Sequence, residues 1–197
     1  NNNHAKRKQK SLYKENFYCK TFFNDLLFLI THVPDISKAM KNANLGEQFM
    51  EKVMTVVTAV NGCVYCSWFH AKQAAQSGIS QEEITNMLKL QFSTDAKENE
   101  ITALLFAQHY AETDRNPDEE MTKKLNDFYG ETTASHIVLF IRMIYFGNLG
   151  GNTFDAFISR LKGKKAPNSS FVFEFFFFLV SLPFMLPIFL FMKKDRK

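Results

Sequence analysis

The chain has 197 residues, a formal net charge of +4, three cysteines and 22 phenylalanines. This length allows one domain with a hydrophobic core and little more, and three cysteines are too few for a secreted scaffold held together by several disulfides. Residues 11–160 carry 13 Lys and Arg against 18 Asp and Glu. This argues against a nucleic-acid-binding domain, because such a domain needs its basic patch on the folded body.

The excess of basic residues lies in the two terminal segments. Residues 1–11, which begin NNNHAKRKQK, are predicted to form a basic arm, and the apolar run of a secretory signal does not follow them. Basic flanks of this kind suit an anionic membrane surface, and they also suit plain solubilising tails.

Residues 12–162 are predicted to form one all-α domain. Apolar residues recur at intervals of three and four, and no stretch alternates polar and apolar residues as a strand would. The Asn61-Gly62 break, the SQEE capping box at 80–83 and Pro117 mark helix ends and beginnings. The predicted helices cover about 13–31, 36–41, 46–60, the cysteine-containing stretch to 76, 80–90, 94–112, 117–129, 131–149 and 152–161.

A polar linker at 163–170 leads into an apolar segment at 171–192, followed by a basic tail at 193–197. As a helix this segment would be roughly 33 Å long, about the hydrocarbon thickness of a bilayer, so it is a candidate transmembrane helix. Its one carboxylate, Glu174, would reach the membrane interface. The alternative is a hydrophobic helix that packs in a groove or against an oligomer neighbour. Basic residues on the domain side predict a cytoplasmic, C-terminally anchored domain, whereas the terminal KKDRK favours the opposite orientation.

The segment NGCVYCSWFH places Cys63, Cys66 and His70 on one face of a helix, at positions i, i+3 and i+7. At a helix start, free N–H groups and the helix dipole stabilise a thiolate, and a second sulfur three residues away can form a reversible disulfide with it. His70 can exchange protons near neutral pH. Glu51, on the preceding helix, could join a proton relay with His70 and Cys66 through water.

Three other interpretations stay open at this point. The cysteines could be packing residues, since free cysteine behaves as a small apolar residue, and Glu51 could be a solvated glutamate. Zinc could bind Cys63, Cys66, His70 and Glu51, although structural zinc sites normally draw their ligand pairs from separate elements. Covalent haem attachment requires histidine directly after the second cysteine, where Ser67 stands instead.

The stretch 51–88 resembles the core of the alkylhydroperoxidase D and carboxymuconolactone decarboxylase-like superfamily. The similar features are a glutamate twelve residues before the first cysteine, NGC-x-YC, a histidine four residues after the second cysteine, an Ala-rich helix and GIS-x-EEI. A weaker similarity extends over about 34–161 through EITALLFAQHYAET and GNLGGNTFDAF. The Phe-rich segment at 171–192 is not part of the family core.

The resemblance implies an all-helical fold and assembly as a homotrimer or homohexamer. In the redox-active branch it implies that Cys66 is the attacking thiolate, Cys63 the resolving cysteine, and His70 and Glu51 the proton relay. The substrate would be a hydroperoxide and the electron donor a dithiol or protein disulfide, with no metal or cofactor. Tyr65 departs from those members that carry a second histidine before the attacking cysteine, which bears on substrate and rate.

The prediction is therefore a thiol-dependent peroxidase or disulfide reductase, a peroxiredoxin-like alkylhydroperoxidase. An enzyme alternative in the same fold is a carboxymuconolactone decarboxylase-like protein that makes no redox use of its cysteines. A non-catalytic alternative is a membrane-tethered oligomeric adaptor. Elsewhere, Cys19 is interpreted as a packing residue, with palmitoylation or a stray thiol as the alternatives, and His109 and His136 as structural. Trp68 either lines a substrate pocket or packs against a neighbouring subunit.

Overall fold

A computed structural model describes residues 15–92, 98–166 and 170–195 of the chain. These residues form helices and no strand, which confirms the all-α prediction and the C-terminal hydrophobic helix. The predicted basic arm lies outside the described residues, as do parts of the predicted linker and tail. The helices are α1 (Cys19–Thr31), α2 (Val33–Met40), α3 (Glu47–Asn61), α4 (Val64–Gln76), α5 (Gln81–Leu88), α6 (Glu98–Glu112), α7 (Glu119–Tyr129), α8 (Glu131–Leu161) and α9 (Phe171–Asp195).

Local signals in the sequence set the boundaries around the cysteine helix. Gly62 adopts a left-handed conformation, with φ of 67°, and ends α3, because glycine takes this conformation without a steric penalty. Cys63 then caps the start of α4. At the start of α5, the Ser80 side chain accepts a hydrogen bond from the Glu83 N–H, as the SQEE pattern predicts. The cysteines therefore lie at the beginning of a helix.

Helix α8 is continuous over 31 residues, whereas the sequence indicated two stretches, 131–149 and 152–161. Gly150 and Gly151 lie inside it, although a glycine weakens a helix by about 1 kcal/mol relative to alanine. A Cβ atom on Gly150 would lie 3.5 Å from Phe177, and one on Gly151 would lie 2.5 Å from the Cys63 sulfur. These glycines allow close helix packing and do not end the helix.

Helices α3 and α8 form the centre of the domain. Helix α3 contacts α4, α5, α6 and α8, and it buries Val53, Val56 and Val57, whereas Val60, which the spacing places on the same face, is half-buried. On α6, Leu104 is buried and Leu105 is exposed. Adjacent helical residues point about 100° apart, and the side of α6 that carries Leu104 faces the core.

A buried lysine fixes α3 against its neighbours. Lys52 forms ion pairs with Glu83 of α5 at 2.7 Å and with Glu100 of α6 at 2.6 Å. Burial lowers the pKa of Lys52, but the hydrogen bonds and the negative charges of Glu100 and Glu83 together outweigh burial, and the pKa is raised overall. Lys52 therefore stays charged near neutral pH. Its two ion pairs fix the rotational orientation of α3, the helix that also carries the adjacent Glu51.

Candidate functional site

The two cysteines of the motif lie at the start of α4, and their sulfur atoms are bonded to each other. Their Cα atoms are 5.3 Å apart, within the range that a disulfide requires. The Sγ atom of Cys63, the N-cap residue, accepts a hydrogen bond from the Cys66 N–H at 3.3 Å. Cys63 is fully buried and Cys66 is half-buried, so Cys66 carries the more accessible sulfur.

The backbone of α8 forms one wall of the site. Gly151 faces the Cys63 sulfur at a distance that leaves no room for a side chain. The Cys66 sulfur lies 3.7 Å from the carbonyl oxygen of Gly147. After reduction, the Cys66 thiol could donate a weak hydrogen bond to this oxygen.

Glu51 and His70 form a second pair. The Oε2 atom of Glu51 lies 2.8 Å from Nδ1 of His70, and each residue is 8% exposed. An ionised carboxylate only accepts hydrogen bonds, so Nδ1 carries the proton of the neutral ring and Nε2 is the nitrogen left to accept one. The carboxylate on α3 therefore orients the imidazole on α4.

Both pairs have a residue on α4, but no hydrogen bond joins them in the described part of the chain. His70 follows Cys66 by four residues, about one helical turn, so both side chains lie on the same side of α4. Proton transfer between them would need a bridging water molecule.

Apolar side chains cover the bonded sulfurs, and half of this cluster comes from α9. The ring of Phe178 stacks on Phe154 with 4.8 Å between ring centroids. Sequence reasoning missed the α9 residues, because a segment that is apolar on every side has no periodicity to mark its inner face. The cluster contains Cys63, Tyr65, Cys66, Trp68, Phe154 and Ile158, with Phe177, Phe178, Leu182, Met185, Ile188 and Met192 from α9.

Tyr65, between the cysteines, packs in this cluster with one polar contact. Its buried side chain is hydrogen-bonded to Asp155 of α8. Burial, followed by the charge and hydrogen bond of Asp155, raises the pKa of Tyr65 to about 12. The phenol is therefore neutral at physiological pH and a poor proton carrier there.

The remaining candidate residues lie outside this cluster. Cys19 is exposed at the start of α1, so its interpretation as a packing residue is wrong. His109 lies 3.1 Å from Asp118, and His136 hydrogen-bonds to Asn42 at 2.9 Å, as structural histidines do. Over the described ranges, no group of three or more His, Cys, Asp or Glu side chains could hold a metal ion. The zinc interpretation therefore gains no support.

A comparison of the chain with models of known protein families supports the resemblance that the cysteine motif indicates. Residues 35–109 match the family model of the carboxymuconolactone decarboxylase family, which confirms the resemblance over that segment. The segment runs from α2 into α6 and includes Glu51, Cys63, Cys66 and His70. A search of the curated proteins found no match to the chain. The matched segment ends before α7. Helix α9, which covers the sulfurs, therefore lies outside it.

Proposed function

We propose that this chain, which carries a segment of the carboxymuconolactone decarboxylase family, is a thiol-dependent peroxidase or disulfide reductase that acts on hydroperoxides. One observation carries the proposal. The Cys63 and Cys66 sulfurs are bonded at a helix start, on the helix that also presents His70 to the buried Glu51 carboxylate. Cysteines used only for packing need neither this bond nor an acid–base pair one turn away.

Cys66 is the attacking residue in this proposal. Its sulfur is the more accessible of the two, and it lies in the first turn of α4, where free N–H groups favour a thiolate. The thiolate attacks one oxygen of the hydroperoxide and breaks the O–O bond. Cys66 becomes a sulfenic acid, and the leaving alkoxide takes a proton to become an alcohol. His70, oriented by Glu51, accepts the Cys66 thiol proton on Nε2 through water as the thiolate forms, and then supplies that proton to the leaving alkoxide.

Cys63 completes the cycle. Its thiol attacks the sulfenic sulfur, so that the disulfide forms and one water molecule leaves. Full burial suits this role, because Cys63 needs to contact only Cys66. An external dithiol then reduces the pair by exchange. Over one cycle, a hydroperoxide and a dithiol give an alcohol, water and the disulfide of the donor.

A lactone decarboxylase-like enzyme is the second candidate. The Glu51–His70 pair favours it, because a buried acid–base pair can transfer protons without any thiol. In that enzyme, substitution of either cysteine would leave turnover intact, so the two candidates differ in one measurement.

Peroxide-dependent turnover with several dithiol donors tests the proposal. Cys66→Ser should abolish turnover. Mixed with peroxide before any dithiol is added, Cys63→Ser should consume one peroxide per chain and stop at the sulfenic acid, because it lacks a resolving partner. The matched control is Cys19→Ser, which removes an exposed thiol and should keep full turnover. Full turnover by Cys66→Ser would overturn the proposal, and lactone turnover by the same variant would establish the second candidate.

We also propose a homo-oligomer, a trimer or hexamer, with its domain on the cytoplasmic side of a membrane. Helix α9 is long and apolar enough to cross a bilayer by length and composition, a test that core helices of soluble proteins also pass.

Size-exclusion chromatography with light scattering measures the subunit number. A monomer at micromolar concentration would contradict the oligomer.

A further inference from the structure

Helix α9 is fixed to the domain at both ends. Near its start, Glu174 accepts hydrogen bonds from Arg160 of α8 at 2.6 and 3.1 Å, and Glu174 is fully buried. Near its end, Met192 is buried, and Asp195 lies 3.3 Å from Lys72 of α4. Between these points the helix covers the bonded sulfurs, so it lies along the domain surface.

The opposite side of α9 is an unpartnered apolar surface. From Phe175 to Met192 the helix contains no charged residue, and a contiguous apolar surface of this length marks an interaction site. The outer face of α9 consists of the exposed residues Phe171, Val172, Phe175, Phe176, Leu179, Val180, Phe184, Leu186, Phe189, Leu190 and Phe191.

Lysines flank α9 along the chain at both ends. Lys164 and Lys165 are exposed just before the helix, and Lys193 and Lys194 are exposed at its end. In a symmetric dimer through this face, antiparallel helices would bring the lysines before the helix in one copy against the lysines at its end in the other copy. Parallel helices would bring each group against the same group of the other copy. Both arrangements juxtapose like charges. An anionic lipid surface instead offers opposite charge to both groups of lysines.

We propose that α9 lies in the plane of an anionic bilayer surface, with its outer face among the lipids and its inner face still packed over the Cys63–Cys66 pair. One side of α9 is packed on the domain, so only its outer side is free to enter lipid, as the apolar face of an interfacial helix does without crossing the membrane. A spanning helix would have to leave the domain, break the Glu174–Arg160 ion pair and strip half of the apolar cover from the sulfurs. The proposal is independent of peroxide turnover.

Vesicle flotation of the full chain tests the binding surface. The protein should float with vesicles of phosphatidylcholine mixed with phosphatidylglycerol, and less with phosphatidylcholine alone or at high salt. The double variant Phe176→Glu with Val180→Glu should bind at least about tenfold more weakly. Phe128→Glu, which alters an exposed phenylalanine of α7, should bind as the wild type does. Circular dichroism checks that each variant is folded, and a wild type that fails to float overturns the proposal.

Labelling from one side of sealed vesicles distinguishes an in-plane helix from a spanning one. In a Cys19→Ser background, Lys164→Cys and Lys194→Cys place single free thiols at the two ends of α9. A membrane-impermeant maleimide added outside should label both thiols equally. Protection of one end would show that the helix spans the bilayer and would overturn the in-plane arrangement.

Light scattering tests the competing occupant, a second copy of the chain. Phe176→Glu with Val180→Glu should leave the subunit number unchanged, since lipid and not protein covers this face. A lower subunit number in that variant would assign the outer face to a subunit interface and would overturn the proposal.

Discussion

Gly151 of α8 lies so close to Cys63 that a Cβ atom on the glycine would be 2.5 Å from the cysteine sulfur and 3.6 Å from the Cys66 sulfur. Real Cβ atoms do not approach a sulfur to 2.5 Å, so α8 can pass the cysteine pair only at a residue without a side chain. The glycine costs helix stability, about 1 kcal/mol relative to alanine. The close approach of the Cys63 sulfur therefore explains why a glycine stands at this position inside the long helix.

Gly151→Ala should therefore destabilise the oxidised protein. We expect its free energy of unfolding to fall by about 1–3 kcal/mol, the usual cost of adding a methyl group to a packed interior. Gly147→Ala is the matched control on the same helix, because a Cβ there meets nothing within 4 Å. This control should be neutral or more stable by up to about 1 kcal/mol. Urea unfolding measures both, and equal stabilities for the two variants would contradict the close approach.

A Cys63→Ala background shows whether the sulfur causes the effect. Without the Cys63 sulfur, the atom nearest to the added methyl group is gone, so the cost of Gly151→Ala should fall well below its value in the wild type. An undiminished cost would assign the effect to some other contact of α8.

Glu51→Gln tests the acid–base pair. The substitution keeps the size of the side chain but removes the charge that holds Nδ1 of His70 at 2.8 Å. We expect the reaction of reduced Cys66 with hydroperoxide to slow by roughly a hundredfold, the lower range for general acid–base catalysis. Stopped-flow mixing with peroxide measures this rate.

Glu47→Gln is the control for the charge itself. Glu47 is an exposed glutamate at the start of the same helix, so its substitution should leave the rate unchanged. If Glu51→Gln reacts as fast as Glu47→Gln, the Glu51–His70 pair has no part in the thiol chemistry.

Local features of the site could be read from the sequence because they depend on neighbouring residues. The Asn61-Gly62 break places Cys63 at a helix start, and the spacing to His70 fixes a shared helix face. These positions also fall within the one continuous segment that matches the family model. A pattern of this kind needs no knowledge of tertiary packing.

The cover provided by α9 could not be predicted in this way. Its composition satisfies both a membrane helix and a packed helix, and its sides do not differ in polarity. Glu174 is the only polar signal near its start, but its partner Arg160 lies on another helix beyond the linker. Sequence reasoning placed this carboxylate at a membrane interface, whereas it is buried in an ion pair.

Tyr65 should make the protein sensitive to alkaline pH. Above the ordinary pKa of 10.0 an unfolded Tyr65 loses its proton, while the folded residue keeps it up to about pH 12. The unfolded state therefore binds fewer protons in this range, and stability falls as pH rises from 10 to 12. The contribution is fully present below pH 10 and is lost above pH 12.

Tyr65→Phe should remove this part of the pH dependence. Between pH 9 and pH 12, the wild type should lose on the order of 2 kcal/mol more stability than the variant. Urea unfolding in a Cys19→Ser background avoids thiol–disulfide exchange, and Tyr18→Phe, at an exposed position, is the control. Parallel pH profiles for wild type and Tyr65→Phe would contradict the burial of the phenol.

The Arg160–Glu174 pair should hold α9 over the sulfurs. Arg160 donates two hydrogen bonds to the buried carboxylate, and the bond to Glu174 raises the pKa of Arg160. Arg160→Met would leave Glu174 buried without a partner, which costs about 3–5 kcal/mol. Since the cluster that encloses the disulfide loses half of its members when α9 moves away, this variant should also expose Cys63 and Cys66.

We therefore expect a small dithiol to reduce the Cys63–Cys66 bond at least about tenfold faster in Arg160→Met than in the wild type. The double variant Arg160→Met with Glu174→Met replaces the ion pair by apolar side chains and should recover both stability and slow reduction, because such replacements are often neutral. Arg142→Met makes the same change elsewhere on α8, where the guanidinium lies 3.2 Å from the centre of the Phe28 ring, and should leave the reduction rate unchanged. Equal reduction rates for the Arg160 and Arg142 variants would show that α9 does not limit access to the disulfide.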